Sequence, residues 1–146
     1  MTATFVRGAE GAETVDNGIV QMNVLVEPGA AQGFAAFVST FPPLGGGPPA
    51  HHHDFYDEAF YVLSGEMEFR VDGETAHVAP GSMALVPRGA VHSFRNPSTK
   101  PARMLVVTTP EAIDLIIRMP EGLRSPEAME ALFAEHDSHL DGPPLS

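Results

Sequence analysis

The sequence predicts an all-β protein, a sandwich or closed barrel, followed by one or two C-terminal α-helices. Fourteen glycines and fourteen prolines in 146 residues separate short runs of apolar or alternating residues, which is typical of strands joined by tight turns. An apolar pattern with helical period is found only after residue 109. Several such hairpins must stack or close into a barrel to bury their apolar faces.

Nine segments carry the strand pattern, and the turns between them carry specific signals. Met67, Phe69 and Val71 alternate with polar residues, so that strand has one apolar face. Asp72-Gly73 follows it and suits a two-residue type I′ hairpin. The predicted strands are Ile19–Val26, Gly33–Phe41, Ala50–His53, Glu58–Leu63, Glu66–Val71, Glu74–Val78, Ser82–Val86, Val91–Asn96 and Arg103–Thr109.

Two helices are predicted after the strands. Thr109-Pro110-Glu111 supplies an N-cap, a proline at the first helical position and an acid in the first turn, and Ser125-Pro126-Glu127 repeats this signal. We expect both helices to pack against the outside of the barrel and Asp141–Ser146 to form a loose tail. Their apolar stripes are Ile113, Ile116 and Ile117 in the first helix and Met129, Leu132 and Phe133 in the second.

The length of 146 residues is that of a single domain. We expect the barrel core at about residues 19–109 and the helical extension at about residues 110–140 of one domain that spans residues 1–146. Four methionines are expected in the core rather than in a functional site: Met22, Met67, Met83 and Met104.

The composition argues against several classes of partner. A net charge of −11 disfavours nucleic acid, whose phosphates require clustered lysine and arginine, and anionic membrane surfaces. Because the chain has no cysteine, any metal must be held by histidine and carboxylate. Residues 1–18 are not expected to be a signal peptide, and no apolar run approaches the roughly 18 residues of a membrane span. We expect a cytoplasmic protein.

Two histidines and a glutamate close together in the sequence are candidate metal ligands. His51 and His53 are two apart on a predicted strand, so their side chains leave the same face with Cα atoms about 6.6 Å apart. His52 faces the other way and is a poor ligand candidate. Glu58 would leave the opposite face of an unbroken strand, so we expect residues 54–57 to form a loop or bulge that returns its side chain to the same side.

His92 is the fourth candidate ligand and comes from a distant strand. It follows the Pro87–Gly89 turn, which is expected to deliver its strand beneath the first pair of histidines. Three imidazoles and one carboxylate suit one divalent transition metal per chain, Fe, Mn, Ni, Cu or Zn, and leave about two coordination positions open. For His77 we favour a structural or surface position. His136 and His139 are at helical spacing in an acidic segment and could bind a metal weakly, but we favour a solvated helix end for both.

Both segments resemble the paired motifs of the cupin superfamily, G(x5)HxH(x3,4)E(x6)G and G(x5)PxG(x2)H(x3)N, and every specified position is met. The resemblance implies a double-stranded β-helix, or jelly-roll barrel, and a likeness to small single-domain cupins of the quercetin-dioxygenase-like kind. It also implies a homodimer. By this resemblance the metal ligands are His51, His53, Glu58 and His92, and the turn positions are Gly45, Gly65, Gly81, Pro87, Gly89 and Asn96.

Side chains on the same faces as the ligands predict an apolar pocket. Phe60 and Val62 share the face of Glu58, and Phe94 shares that of His92, which suits an aromatic or other apolar substrate. Tyr56 lies on the loop between two ligands and is a candidate acid or hydrogen-bond donor, although a position at the rim without chemistry is the simpler interpretation.

Three functions remain open from the sequence. The first is a metal-dependent dioxygenase that acts on a small aromatic or enolisable substrate, with Glu58 able to act as a base on a substrate hydroxyl. The second is a redox-neutral isomerase, lyase or polyketide cyclase in which the metal stabilises an enolate. The third is a non-catalytic module that binds a small ligand.

Overall fold

Eleven strands and three helices make up the part of the chain that the structure, a computed structural model, describes: residues 13–146. No helix in that range combines the length and the apolar composition of a membrane span. The strands are β1 Glu13–Asp16, β2 Gln21–Val26, β3 Ala35–Phe41, β4 Pro49–His53, β5 Glu58–Ser64, β6 Met67–Val71, β7 Glu74–Val78, β8 Met83–Val86, β9 His92–Arg95, β10 Ala102–Thr108 and β11 Ser138–Pro144. The helices are α1 Pro110–Ile117, α2 Met119–Gly122 and α3 Pro126–Glu135.

The strands form two antiparallel sheets. One has the order β1-β2-β3-β10-β5-β8, and the other has the order β11-β4-β9-β6-β7. From β3 onward the chain crosses between the sheets at every connection except the β6–β7 hairpin, which is the connection pattern of a jelly roll. The all-β prediction is confirmed, and all nine predicted strands are present with ends shifted by at most a few residues.

The turns follow the sequence signals. In the hairpin between β6 and β7, Asp72 has φ 47° and Gly73 has φ 85°, as a type I′ turn requires. Gly65 has φ 78°, and a Cβ at this position would lie 2.5 Å from the Pro101 carbonyl oxygen. This glycine therefore serves both a left-handed backbone and a close approach to the chain before β10.

One apolar core lies between the sheets. Its largest fully buried members come from both sheets, among them Phe41 and Met104 of one and Met67 and Phe69 of the other. Alternation along the strands predicts this burial well. Met83 is the exception, because it lies on the edge strand β8 with 57% of its surface exposed, so the prediction of a core position is wrong for this methionine.

The C-terminal region differs from the expectation in one element. The predicted loose tail is largely β11, which pairs with the edge of β4 so that Ser138 opposes His53 and Leu140 opposes His51. The segment contains Gly142-Pro143-Pro144, a composition poor in strand formers. Proline is tolerated on an edge strand, and tertiary pairing outweighs local propensity there.

Both predicted helix starts are present, although only one is capped as expected. Ser125 Oγ accepts a hydrogen bond from the Ala128 backbone N–H at 3.1 Å, whereas the Thr109 side chain makes no cap hydrogen bond. A short additional helix, α2, lies between the two predicted ones. Ile113 of α1 joins the barrel core, and Leu115 packs with the residues of α2 and α3 in a second cluster.

Candidate metal centre

Two neighbouring strands bring three buried histidines together. His51 and His53 are on the inward face of β4, and His92, at the start of β9, is the direct cross-strand partner of His51. All three histidines are at most 5% exposed. His52, between the first two, faces outward as the strand alternation predicts.

Glu58 reaches the same place from the opposite sheet. The chain leaves β4 at His53, passes through residues 54–57 outside any strand and begins β5 at Glu58. The predicted loop is present. It returns the carboxylate to the interior by crossing between the sheets, since the inner faces of both sheets line one core. The four candidate ligands are thus brought together, with one ligand atom of each within 4.8 Å of the others.

Hydrogen bonds at Nδ1 fix the orientation of the His51 and His92 rings. His51 Nδ1 lies 2.7 Å from the Pro49 carbonyl oxygen, and His92 Nδ1 lies 3.0 Å from the Ala90 carbonyl oxygen. Because a carbonyl only accepts, each Nδ1 carries the hydrogen, and each Nε2 keeps a lone pair in the neutral ring. Such a hydrogen bond from the second nitrogen is the usual support of a metal-binding imidazole.

His53 is supported by a side chain from the C-terminal strand. Its Nδ1 lies 2.7 Å from Ser138 Oγ, and Ser138 Oγ donates to the His136 carbonyl at 2.9 Å. The serine oxygen is therefore the acceptor for His53 Nδ1–H. Tyr56 completes this network, because its hydroxyl lies 2.8 Å from Ser138 Oγ and its ring stacks on His53 with centroids 4.5 Å apart.

Burial and the contacts of Glu58 with two histidines determine the protonation of the metal-free site. Burial, with the neighbouring His92 and His53, lowers the pKa of His51 to about 3, so this ring is neutral. Burial opposes ionisation of Glu58, but hydrogen bonds from His53 and His92 outweigh it and hold the pKa of this carboxyl below its usual range. Burial opposes the charged form of His92 as well, and the Glu58 carboxylate nevertheless raises the His92 pKa.

A largely apolar cavity of about 60 Å³ adjoins His51, His53 and Glu58. Its walls come from the barrel and from all three helices: Phe37, Phe41, Phe60, Phe94, Met104 and Val106 from strands, and Leu115, Ile116, Met119 and Phe133 from helices. The prediction that the helices pack against the outside of the barrel is therefore incomplete, because residues of all three helices also line the cavity. They form a helical cover, residues 110–135, over the cavity.

The cover contacts the site directly. The Phe133 ring meets the His51 imidazole edge to face with centroids 5.3 Å apart. On the far side of the cavity, Asn17 donates from Nδ2 to the Ile116 carbonyl at 3.2 Å, so the turn between β1 and β2 holds the end of α1. Asn17 is itself 3% exposed. These contacts hold the helical cover beside the cavity.

Phe60 and Phe94 both line the cavity, with ring centroids 5.1 Å apart. Val62 is fully buried on the expected face but packs in the barrel core and does not line the cavity. Tyr56 does not line it either. Burial raises the Tyr56 pKa to about 12, so the phenol is a hydrogen-bond donor at neutral pH, and its geometry supports positioning of His53.

The remaining histidines divide between surface and interior. His77 is at the surface, where Nε2 lies 3.2 Å from Glu68 Oε2. His136 is buried at the end of α3, 2.7 Å from Asp114 Oδ2, and His139 belongs to β11. The prediction of a solvated helix end for these last two is wrong, because β11 turns the chain back onto β4.

Sequence reasoning missed Ser138, Phe133 and Asn17 as parts of the site. The sequence pattern indicates Phe133 only as a member of the apolar stripe of the second predicted helix. Ser138 is 85 residues from the histidine that it contacts, and Asn17 is 99 residues from its partner. No local pattern marks contacts of that separation.

The donor set fits a divalent transition metal. His51, His53 and His92 are each fixed by an Nδ1 hydrogen bond, and His53 Nε2 and His92 Nε2 lie 3.3 Å and 3.0 Å from Glu58 Oε2. The Glu58 carboxylate adds one negative charge to this group of ligand atoms. Imidazole and carboxylate ligands suit Fe, Mn, Ni, Cu and Zn. We therefore describe these four residues as the inner centre.

Comparison with known proteins places this fold and site in a family. A model of the cupin domain matches residues 37–108. Quercetin 2,3-dioxygenase from Bacillus subtilis (strain 168) is 38% identical over 58 residues, which are 40% of this chain and 17% of that protein. The tetracenomycin polyketide synthase protein TcmJ from Streptomyces glaucescens is 31% identical over 84 residues, 58% of this chain and 55% of that protein.

Solved structures agree on the fold. KdgF from Halomonas sp. superposes with a TM-score of 0.64 at 21% identity, over 75% of this chain and 94% of that one. The jelly-roll topology, the paired motifs and the family match together identify residues 37–108 as a cupin domain. The matched segments span from 17% to 55% of the two curated relatives named above, so they define the family and not the reaction.

Proposed function

We propose that this chain is a metal-dependent cupin enzyme that acts on a small aromatic or enolisable organic substrate. The observation that carries the proposal is the position of the inner centre at the wall of a largely apolar cavity. A site used only for structure has no need of an adjoining cavity. Ligand pockets commonly combine apolar walls with a few polar groups in this way.

The chain's own residues supply binding, orientation and exclusion of water. Phe60 and Phe94 offer aromatic faces to the substrate, and the helical cover keeps bulk water from the ligands. Glu58 holds its carboxylate ionised inside the cavity and is the base for a substrate hydroxyl or an activated C–H group. A bound transition metal supplies Lewis acidity or one-electron chemistry at a substrate oxygen.

The cavity size limits the substrate. A volume of about 60 Å³ is well below the roughly 300–1,000 Å³ of pockets that hold drug-sized ligands. A three-ring flavonol therefore requires the helical cover to move away from Phe37 and Met104, whereas a compound of a few heavy atoms does not. We therefore expect small enolisable substrates to bind without a slow phase. A flavonol should show a slow binding phase, because the helical cover must move before it can bind.

A dioxygenase is our first candidate reaction. The match with quercetin 2,3-dioxygenase supports it, and the open coordination positions of a four-ligand site suit substrate and oxygen together. The test is oxygen consumption by protein loaded with Fe, Mn, Ni or Cu, measured with flavonols and with smaller enolisable aromatics. No consumption with any metal and substrate would remove this candidate.

A redox-neutral isomerase, lyase or polyketide cyclase is the second candidate. The longer match with the polyketide synthase protein TcmJ favours it. In such a reaction an enolate forms and collapses without net oxidation, so Zn would serve as well as Fe. Turnover under strict anaerobiosis with Zn-loaded protein would select this candidate. Ligand binding without turnover in either experiment would select the non-catalytic binding module.

We also propose a homodimer. The edge strand β8 exposes Met83 to 57% and Leu85 to 65%, and an uncovered apolar edge is a site of pairing or aggregation. Light scattering at micromolar concentration is expected to give twice the chain mass, and Leu85→Lys is expected to give a monomer. A monomeric wild type would refute the proposal.

A further inference from the structure

A second group of potential metal ligands lies outside the barrel, on the opposite face of the strand that carries the inner centre. It consists of His52, Asp54 and His139, which we call the outer cluster. One ligand atom of each lies within 4.8 Å of the others. No residue of the cupin motifs is among them, so the outer cluster is separate from the family's ligand set.

The sheet register places the two histidines. His52 on β4 and His139 on β11 are direct cross-strand partners, and such partners have Cβ atoms about 4.5–5.5 Å apart. Their rings stack with centroids 4.7 Å apart and planes inclined by 16°. Two imidazoles held side by side by backbone pairing can reach one ion with small side-chain rotations.

A single carboxylate faces both rings. His139 Nε2 lies 2.8 Å from Asp54 Oδ2, and His52 Nε2 lies 3.7 Å from Asp54 Oδ1. Two histidines and one carboxylate on one side of an ion form the facial arrangement that leaves its other positions to water. The side chains of His52, Asp54 and His139 are 24%, 39% and 53% exposed, so water has access to those positions.

A fourth residue, Asp141, orients His52, as outer carboxylates orient the histidine ligands of metal sites. Asp141 Oδ2 lies 2.7 Å from His52 Nδ1. This contact engages the nitrogen on the far side of the ring and leaves Nε2 turned toward Asp54. A carboxylate behind a histidine in this way is the usual outer support of a metal ligand. It is an observation independent of the grouping of the three ligands.

We propose that the outer cluster is a second, solvent-accessible site for a divalent transition metal such as Zn²⁺, held by His52, Asp54 and His139 and supported by Asp141. The net charge of −11 raises the local concentration of cations at the surface. With three protein ligands and exposed positions, this site binds more weakly than the inner centre, whose four ligands are buried.

Metal binding at the outer site affects metal binding at the inner centre, because both sites involve β4 and β11. A metal at the outer site ties β4 to β11 next to Ser138, which supports the ligand His53. Ordering β11 stabilises that support. Occupancy of the outer site therefore favours metal binding at the inner one, and by linkage the converse also holds.

The test is the stoichiometry of Zn²⁺ binding to the metal-stripped full-length chain, measured by calorimetric titration. The wild type is expected to bind two ions per chain in two phases, and His139→Ala is expected to lose the weaker phase while retaining the tighter one. His77→Ala is the matched control, because it removes another exposed histidine that is paired with a glutamate, and it should still bind two. Circular dichroism confirms that each variant is folded.

Two further variants keep the test decisive. Asp54→Asn should also remove the weaker phase, and Asp141→Asn should weaken it by about 10–100-fold without abolishing it. The proposal is overturned if His139→Ala and Asp54→Asn bind as many ions as the wild type does, whatever that number is. It does not rest on the catalytic proposal, since an inactive protein would give the same titration.

Discussion

Replacing Ser138 by alanine tests how the C-terminal strand contributes to the inner centre. The serine oxygen accepts from His53 Nδ1–H at 2.7 Å, and its hydroxyl donates to the His136 carbonyl at 2.9 Å. Ser138 itself is 2% exposed, so water is poorly placed to replace these hydrogen bonds. Ser138→Ala leaves the His53 ring without its orienting partner and leaves Tyr56 with only the His136 carbonyl.

The expected loss in metal affinity follows from this geometry. Removing an outer hydrogen-bond partner of a ligating histidine weakens metal binding by about 10–100-fold, which corresponds to about 1.4–2.8 kcal/mol. The orphaned buried N–H also lowers the free energy of unfolding of the metal-free protein by about 1–3 kcal/mol. Both effects have one cause and should appear together.

Competition with a chromophoric chelator measures the first effect, and urea unfolding in the presence of EDTA measures the second. Ser39→Ala is the matched control. Ser39 is also 2% exposed, and its Oγ makes no hydrogen bond within residues 13–146, so its loss should change neither quantity appreciably. If Ser138→Ala binds the inner metal as tightly as Ser39→Ala does, the proposed support of His53 is refuted.

Three further substitutions test other parts of the account. Glu58→Gln removes the carboxylate at nearly constant volume, and we expect kcat of the metal-saturated protein to fall by about 10²–10⁴-fold; an unchanged kcat would exclude Glu58 as the base. Phe133→Ala removes a buried side chain from the helical cover and should lower the free energy of unfolding, measured in urea, by about 3–5 kcal/mol. Phe55→Ala, at an exposed position, is the control. A smaller loss of stability for Phe133→Ala than for Phe55→Ala would contradict the described packing. Gly65→Ala places a Cβ against the Pro101 carbonyl oxygen on a backbone with positive φ, so the melting temperature should fall. Gly73→Ala should lower the melting temperature less, because Gly73 also has a positive φ, 85°, but a Cβ there would have no neighbour within 4 Å.

The barrel was largely predictable because its information is local. Strand alternation gives the buried face, and Asp72-Gly73 gives a hairpin whose dihedral angles the structure confirms. The grouping of the candidate ligands was predictable for the same reason. His51 and His53 are two apart on one strand, and the motif spacing from His53 to Glu58 allows one crossing between sheets.

The surroundings of the site were less predictable because they depend on contacts between distant segments. β11 has a sequence rich in glycine and proline and is a strand only because β4 offers it an unpaired edge. Its pairing moves His139 from an expected helix end to a position beside His52. The same pairing delivers Ser138 to His53, which no periodicity in the sequence indicates.

The role of the helices was also beyond the local pattern. Their apolar stripes predict burial, but they do not specify which surface the stripes cover. Phe133 packs on His51, and Ile116 is held by Asn17 from the other end of the chain. The cavity is formed by contacts between segments that are distant in the sequence, so neither its size nor its lining could be read from the spacing of residues.

The central claim is that His51, His53, Glu58 and His92 hold a metal. Elemental analysis of protein purified without added metal, after a brief chelator wash to clear the exposed outer cluster, tests it most directly. We predict close to one tightly held Fe, Mn, Ni, Cu or Zn per chain, and a large loss of this metal in His92→Ala. Metal-free protein that also binds no metal at these four residues on titration would contradict the account.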